Sequence, residues 1–153
     1  TDREMYHLTK EMMSAHGYER YEISNYAKPG YECRHNCSYW ERTDYRGFGI
    51  GAASLLGEVR YKNSTDLKEY LKGHFTYESV EPLRHRDALE ETMFLGLREM
   101  RGVAVTEEIQ EVYGPVLEKL IQEEVLVRAD GRVRLTDRGI DVSNMVLAEF
   151  LLD

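Results

Sequence analysis

Between Tyr21 and Ser54 the chain gathers side chains that could do chemistry: Ser24, Asn25, Cys33, His35, Asn36, Cys37, Tyr39 and Trp40. The imidazole, carboxamide, phenol and indole of His35, Asn36, Tyr39 and Trp40 combine flat stacking surfaces with directional hydrogen bonds, which suits contact with a planar ligand. The same aromatics would equally plug a barrel end or a domain junction. Ser24 and Asn25 close the alternation Tyr21, Ile23 and are expected at the carboxyl end of a strand, where parallel α/β folds build their sites. Capping of the following turn is the alternative for both. Gly47, Gly49 and Gly51 alternate with Phe48 and Ile50, and glycine inside a strand marks a close backbone approach, to a ligand or to a neighbouring element. Their spacing departs from Gly-x-Gly-x-x-Gly followed by a helix, so no dinucleotide fingerprint is read here.

Cys33-Arg-His-Asn-Cys37 invites a metal. A tetrahedral site needs four ligands and no second cysteine pair exists, while a Cys-x3-Cys-x2-Cys cluster motif would need a third thiolate where Trp40 stands. The pair is read as two incidental thiols, and no metal site is expected. His7, His16, His74 and His85 have no partners at ligand spacing.

Several elements must position these residues. Met5, Leu8, Met12 and Ala15 recur at helical spacing over residues 2–16, and Gly17 is a natural stop. A short strand to about Asn25 ends at Lys28-Pro29-Gly30, a polar loop carries His35 to Trp40, and a second strand is expected from Tyr45 to Leu56. Glu58 to Lys62 reads as a hairpin arm, and Asn63-Ser-Thr-Asp66 as the cap of a helix over Leu67 to Leu71. Pro82 and Arg84-His-Arg-Asp87 mark a boundary. Beyond it, Leu89, Met93, Phe94, Leu97 and Met100 face inward on a helix over 87–100. Thr106-Glu-Glu-Ile opens a second helix, and Gly114-Pro115 a third. Asp130-Gly131 turns a hairpin, and a final helix runs from about Asp137 to Phe150. The expected domains are therefore 1–75, a linker at 76–86, and a winged-helix-like unit at 87–153.

The chain has 153 residues and a formal net charge of −8, which opposes non-specific binding to nucleic acid or an anionic membrane. From Arg101 onward six Lys or Arg face eleven Asp or Glu, so no nucleic-acid partner is expected of the winged-helix-like unit. No apolar run has transmembrane length, and two cysteines are too few for a disulfide scaffold, which makes a reducing cytoplasm the expected setting.

Taken together, Tyr21-Glu-Ile-Ser-Asn-Tyr-Ala-Lys-Pro-Gly-Tyr-Glu-Cys-Arg-His-Asn, Tyr39-Trp40, Asp44-Tyr-x-Gly-x-Gly-x-Gly-Ala, Leu135-Thr-x-x-Gly139 and Val142-Ser-Asn-x-Val resemble one family. It is the oxygen-independent coproporphyrinogen III oxidase-like radical SAM proteins, including their haem-chaperone branch. The likeness runs over nearly the whole chain. It implies a parent with a partial (β/α) barrel that holds a [4Fe–4S] cluster and S-adenosylmethionine and acts on or carries a porphyrin or haem. It also implies that Ser24, Asn25, His35, Asn36, Tyr39, Trp40, Gly49 and Gly51 are rim residues near the cofactor, with Gly47 to Gly51 in the closing strand. Many relatives have histidine where this chain has Ala53. The three-cysteine motif belongs to the family's N-terminal half. The chain is therefore expected to be a C-terminal fragment whose partner is the missing barrel half, without a cluster or catalysis of its own, and prone to self-association through its severed edge. The fold class expected is α/β plus α+β. The rival readings are a non-catalytic interaction module and an acidic winged-helix regulator.

Overall fold

The structure is a computed structural model that describes residues 2–152. Its chain divides into two compact units. One takes in the described residues up to Glu41 together with those from Glu90 onward; the other is Arg42–Leu89. The described residues mix α and β structure and contain no closed barrel. Every strand pair is antiparallel, so the parallel barrel-edge strands expected from sequence are not formed among them.

The first unit opens with α1 (Asp2–Ala15), which Gly17 terminates at φ 76°. Tyr18 N–H donates to Met13 O and Gly17 N–H to Ser14 O, both at 3.0 Å, the paired bonds by which a left-handed glycine satisfies the last carbonyls of a helix. The periodic apolar face did not become the packed face: Met5, Leu8 and Met12 are 60%, 55% and 56% exposed. Polar groups attach α1 instead. Arg3 pairs with Asp141 and Lys10 with Asp137, each at 2.7 Å, and Tyr6 Oη donates to Ile23 O at 2.6 Å. The single strand expected next is a tight hairpin of β1 (Glu19–Glu22) and β2 (Asn25–Ala27), with Ile23 and Ser24 as its turn. Ser24 and Asn25 thus stand at a hairpin tip and not at the end of a barrel strand. The segment from Arg34 to Trp40, expected as loop, is helix α2.

In the second unit the glycine stretch is not a strand. Tyr45 bridges Leu55, residues 46–52 loop back, and only β3 (Ala53–Leu56) enters the sheet, followed by β4 (Val59–Asn63), α3 (Leu67–Leu71) and β5 (Tyr77–Pro82) in the order β3-β4-β5. Gly47 explains the loop, because a Cβ there would lie 2.2 Å from Ala53 O. Asp66 caps α3 by accepting from Lys68 N–H at 2.9 Å and Glu69 N–H at 3.1 Å. The stretch 76–86, read as a linker, contains β5.

The chain then passes through α4 (His85–Gly96) into the first unit, where β6 (Val103–Ala104), α5 (Glu107–Gln122), β7 (Leu126–Ala129), β8 (Arg132–Leu135), α6 (Asp137–Asp141) and α7 (Ser143–Ala148) complete the core. The helix expected to start at Gly114-Pro115 is the second half of α5. Tyr113, Leu117 and Leu120 bury one continuous face, and that packing outweighs the amide hydrogen that Pro115 lacks. The last helix is broken at Val142 (φ −120°) into α6 and α7. Thr106 and Thr136 cap α5 and α6 by accepting from Ile109 N–H at 3.2 Å and Gly139 N–H at 3.0 Å. Met93, Leu97, Tyr113, Val133 and Phe150 are fully enclosed, and Tyr113 Oη donates to Phe150 O at 3.0 Å.

Candidate functional site

Helix α2 presents the aromatic and imidazole groups singled out above. Cys33 stands at its N-cap position without a side-chain bond to the first turn, and none of the helix residues is fully buried. Arg, His, Asn, Cys, Ser, Tyr and Trp are, apart from the first, middling helix formers, so contacts at the helix end must hold it. His35 is exposed and meets Tyr39 edge to face, with ring centroids 4.9 Å apart, as residues four apart on one helix face do. Asn36 is half-buried, and its side chain makes no hydrogen bond among the described residues.

The anchor is Trp40. The Arg98 guanidinium lies 4.6 Å from its ring centroid, and Arg98 Nη2 donates to Glu22 Oε1 at 2.7 Å. Glu22 is wholly enclosed, and its second oxygen accepts from Asn25 Nδ2 at 2.6 Å and from Ser24 N–H at 3.0 Å. Backbone bonds from Ile23 N–H to Arg98 O and from Met100 N–H to Tyr21 O, both 3.0 Å, tie the hairpin to the same segment. Ser24 and Asn25 therefore satisfy a buried carboxylate whose cation stacks on Trp40. Neither needs a cofactor to account for it. Trp40 Nε1 is enclosed and has no acceptor, which leaves an indole donor uncommitted beside α2.

A second carboxylate underlies α2. Glu99 is 4% exposed and accepts from Arg101 Nε at 2.9 Å, while Arg101 also pairs with Glu41 at the end of α2. Burial raises the Glu99 carboxyl above its usual value despite Arg101, and burial likewise raises the Cys37 thiol. For an acid whose folded pKa is raised, ionisation costs stability above that pKa, and the cost disappears as pH falls below the unfolded value near 4.5. Glu99→Gln should therefore gain stability relative to the parent chain at pH 7 compared with pH 4, as read by urea denaturation at both. A constant difference between the two pH values would contradict the raised carboxyl.

Gly49 and Gly51 belong to the other unit. Both have positive φ, 93° and 68°, and Asn63 Nδ2 donates to Gly49 O at 2.8 Å. They shape a loop. Sequence reasoning missed Glu22, Arg98, Glu99 and Arg101, which lie at the hairpin and just beyond α4; a charged residue has no periodic signature, so only the fold brings them under α2.

Among the described residues no group of three or more His, Cys, Asp or Glu side chains could hold a metal ion, and Cys33 is exposed. The residues present do not fit a [4Fe–4S] cluster. The exposed His35 imidazole, edge-on to Tyr39, is the accessible nitrogen ligand on α2.

Comparison with known proteins bears on this arrangement. Residues 83–142 match the HemN C-terminal domain family. Over 98% of its length the chain is 36% identical to the heme chaperone HemW of Lactococcus lactis and 36% identical to that of Bacillus subtilis. The chain belongs to the HemN-like family. This HemN-like chain spans 42% of the length of each of those two relatives. It also superposes on the solved coproporphyrinogen III oxidase (HemN) from Escherichia coli with a TM-score of 0.67 at 15% identity, covering 94% of this chain and 39% of that one. At that identity the match speaks for the fold. No described helix is long and apolar enough to cross a membrane.

Proposed function

We propose that the chain is the C-terminal part of a radical SAM protein of porphyrin or haem metabolism, on the haem-chaperone side of the family, and that His35 would hold haem through its imidazole. The observation that carries this is an exposed imidazole on α2, a helix of weak formers held at its far end by the Trp40–Arg98–Glu22 chain. Haem, when bound, supplies an iron that accepts a neutral imidazole nitrogen. His35 would bind, and Tyr39 would limit the ring's rotation from its edge. Reductive cleavage of S-adenosylmethionine belongs, on this reading, to a preceding barrel half that carries the cluster cysteines. The segment after α4 serves as a winged-helix-like domain in which β7–β8 is the wing-like hairpin. Its acidic balance favours a packing role over nucleic acid.

Ferric haem titrated into the chain should give the Soret and visible bands of imidazole-ligated iron, and His35→Ala should abolish that ligation signature. A band unchanged by that substitution would remove His35 from the role. A second reading, docking on a partner surface, is favoured by the exposed Met5, Leu8 and Met12 stripe of α1. Self-association through that stripe is the simplest form of it.

A further inference from the structure

The second unit contains a recess of about 380 Å³, within the range of small-molecule sites. Its lining includes Arg46, Phe48, Ser54, Tyr70, Phe75 and Tyr77. The recess is preformed. Gly47 N–H donates to Ser54 Oγ at 3.0 Å, Asn63 Nδ2 to Gly49 O at 2.8 Å, and Gly51 N–H to Ser64 O at 3.2 Å, so the glycine loop is pinned along its length. Around it stand aromatic faces. Phe48 and Phe75 are 85% and 75% exposed, an unusual state for phenylalanine, and Tyr70 meets Phe75 edge to face at 5.3 Å.

Charge narrows the ligand. The Asp66 carboxylate is committed to the first turn of α3, and Glu69 outside the lining is held by Lys72 and His74. Arg46 has no hydrogen-bond or ionic partner among the described residues. The recess therefore offers flat apolar walls and one uncommitted guanidinium, whose planar fork matches a carboxylate.

We propose that this recess is a second ligand site, taking a planar aromatic carboxylate of the porphyrin class. Its ring would stack on Phe48 and Phe75, and its carboxylate would sit against Arg46. The choice of porphyrin among flat carboxylates rests on the function proposed above; the stacking and the charge do not.

Metal-free mesoporphyrin separates the two sites, because a ring without iron cannot be held by the His35 imidazole. Titration followed by porphyrin fluorescence should show saturable binding that weakens about tenfold in Phe75→Ala and in Arg46→Ala. His35→Ala should leave it unchanged, and a tetracationic porphyrin should bind far less well. Both altered side chains are exposed, so unchanged circular dichroism is expected of the variants. Full affinity in folded Phe75→Ala or Arg46→Ala, dependence on His35, or equal binding of the cationic ring would each overturn the proposal. So would failure of mesoporphyrin where pyrenebutyrate binds. Loss of the imidazole-ligation bands of ferric haem in His35→Ala, with mesoporphyrin binding intact, would support both sites.

Discussion

Arg98→Ala should lower the unfolding free energy by about 3 kcal/mol, because it strands the Glu22 carboxylate in the protein interior. Glu22 is fully enclosed, and among the described residues Arg98 is the one cation within salt-bridge distance of it, at 2.7 Å. The Asn25 and Ser24 donors remain, but two neutral donors do not replace a positive charge in a site that water does not reach. The pair itself is worth far less than the cost of breaking it, which the double variant Arg98→Ala with Glu22→Gln tests. Removing the charge along with its partner should recover much of the loss. Urea denaturation of the three chains reads the result, and equal stability of the single and double variants would contradict the account. The loss has a local signature as well. Arg98 covers Trp40, so indole fluorescence of the folded single variant should change as its face is uncovered.

Gly102→Ala should cost about 3 kcal/mol for two separable reasons. Its φ is +66°, a conformation that costs an L residue about 1 kcal/mol, and a Cβ there would lie 2.0 Å from Val133 O. That contact cannot be relieved cheaply, because Val133 is central to the β6-β8-β7 sheet and fully buried, while Arg132 donates to Gly102 O at 2.5 Å. Gly131→Ala is the control. Its φ is +71° but nothing lies within 4 Å of the added carbon, so it should cost only about 1 kcal/mol. Thermal unfolding should rank parent, Gly131→Ala and Gly102→Ala in that order. Similar losses at both glycines would mean that backbone conformation, not the close approach, dominates.

The features legible in the sequence are those decided within a few residues. Gly17 as a stop, Asp66 and Thr106 as caps, and the Asp130-Gly131 hairpin all formed where their local chemistry dictates, with Asp130 and Gly131 both at positive φ. The misread features depend on distant partners. Helix α2 has little intrinsic helicity and is secured through Arg98 and Arg101. The β1–β2 turn has neither glycine nor proline, and Glu22 gathers its backbone instead. Pro115 failed to break α5 because Tyr113 and Leu117 are buried on either side of it. Among the candidate site residues, His35 and Trp40 could be picked out by type. The carboxylate that links Ser24 and Asn25 to Trp40 could not, since Glu22 alternates outward in the strand pattern and turned out to be the most enclosed charge near the site.

The first unit is assembled from both ends of the described chain, with Arg42–Leu89 between them in sequence. Its hairpin and its C-terminal core are thus joined by a tether, and the entropy of closing that tether grows only with the logarithm of its length. Insertions in the middle segment should disturb the equilibrium little. They should bear more on folding rate, because the buried Glu22–Arg98 pair can form only after two regions 76 positions apart have met. That pair should therefore form late in folding as well as anchor the folded state, and α2 should become ordered only once the chain from both sides of the tether is in hand.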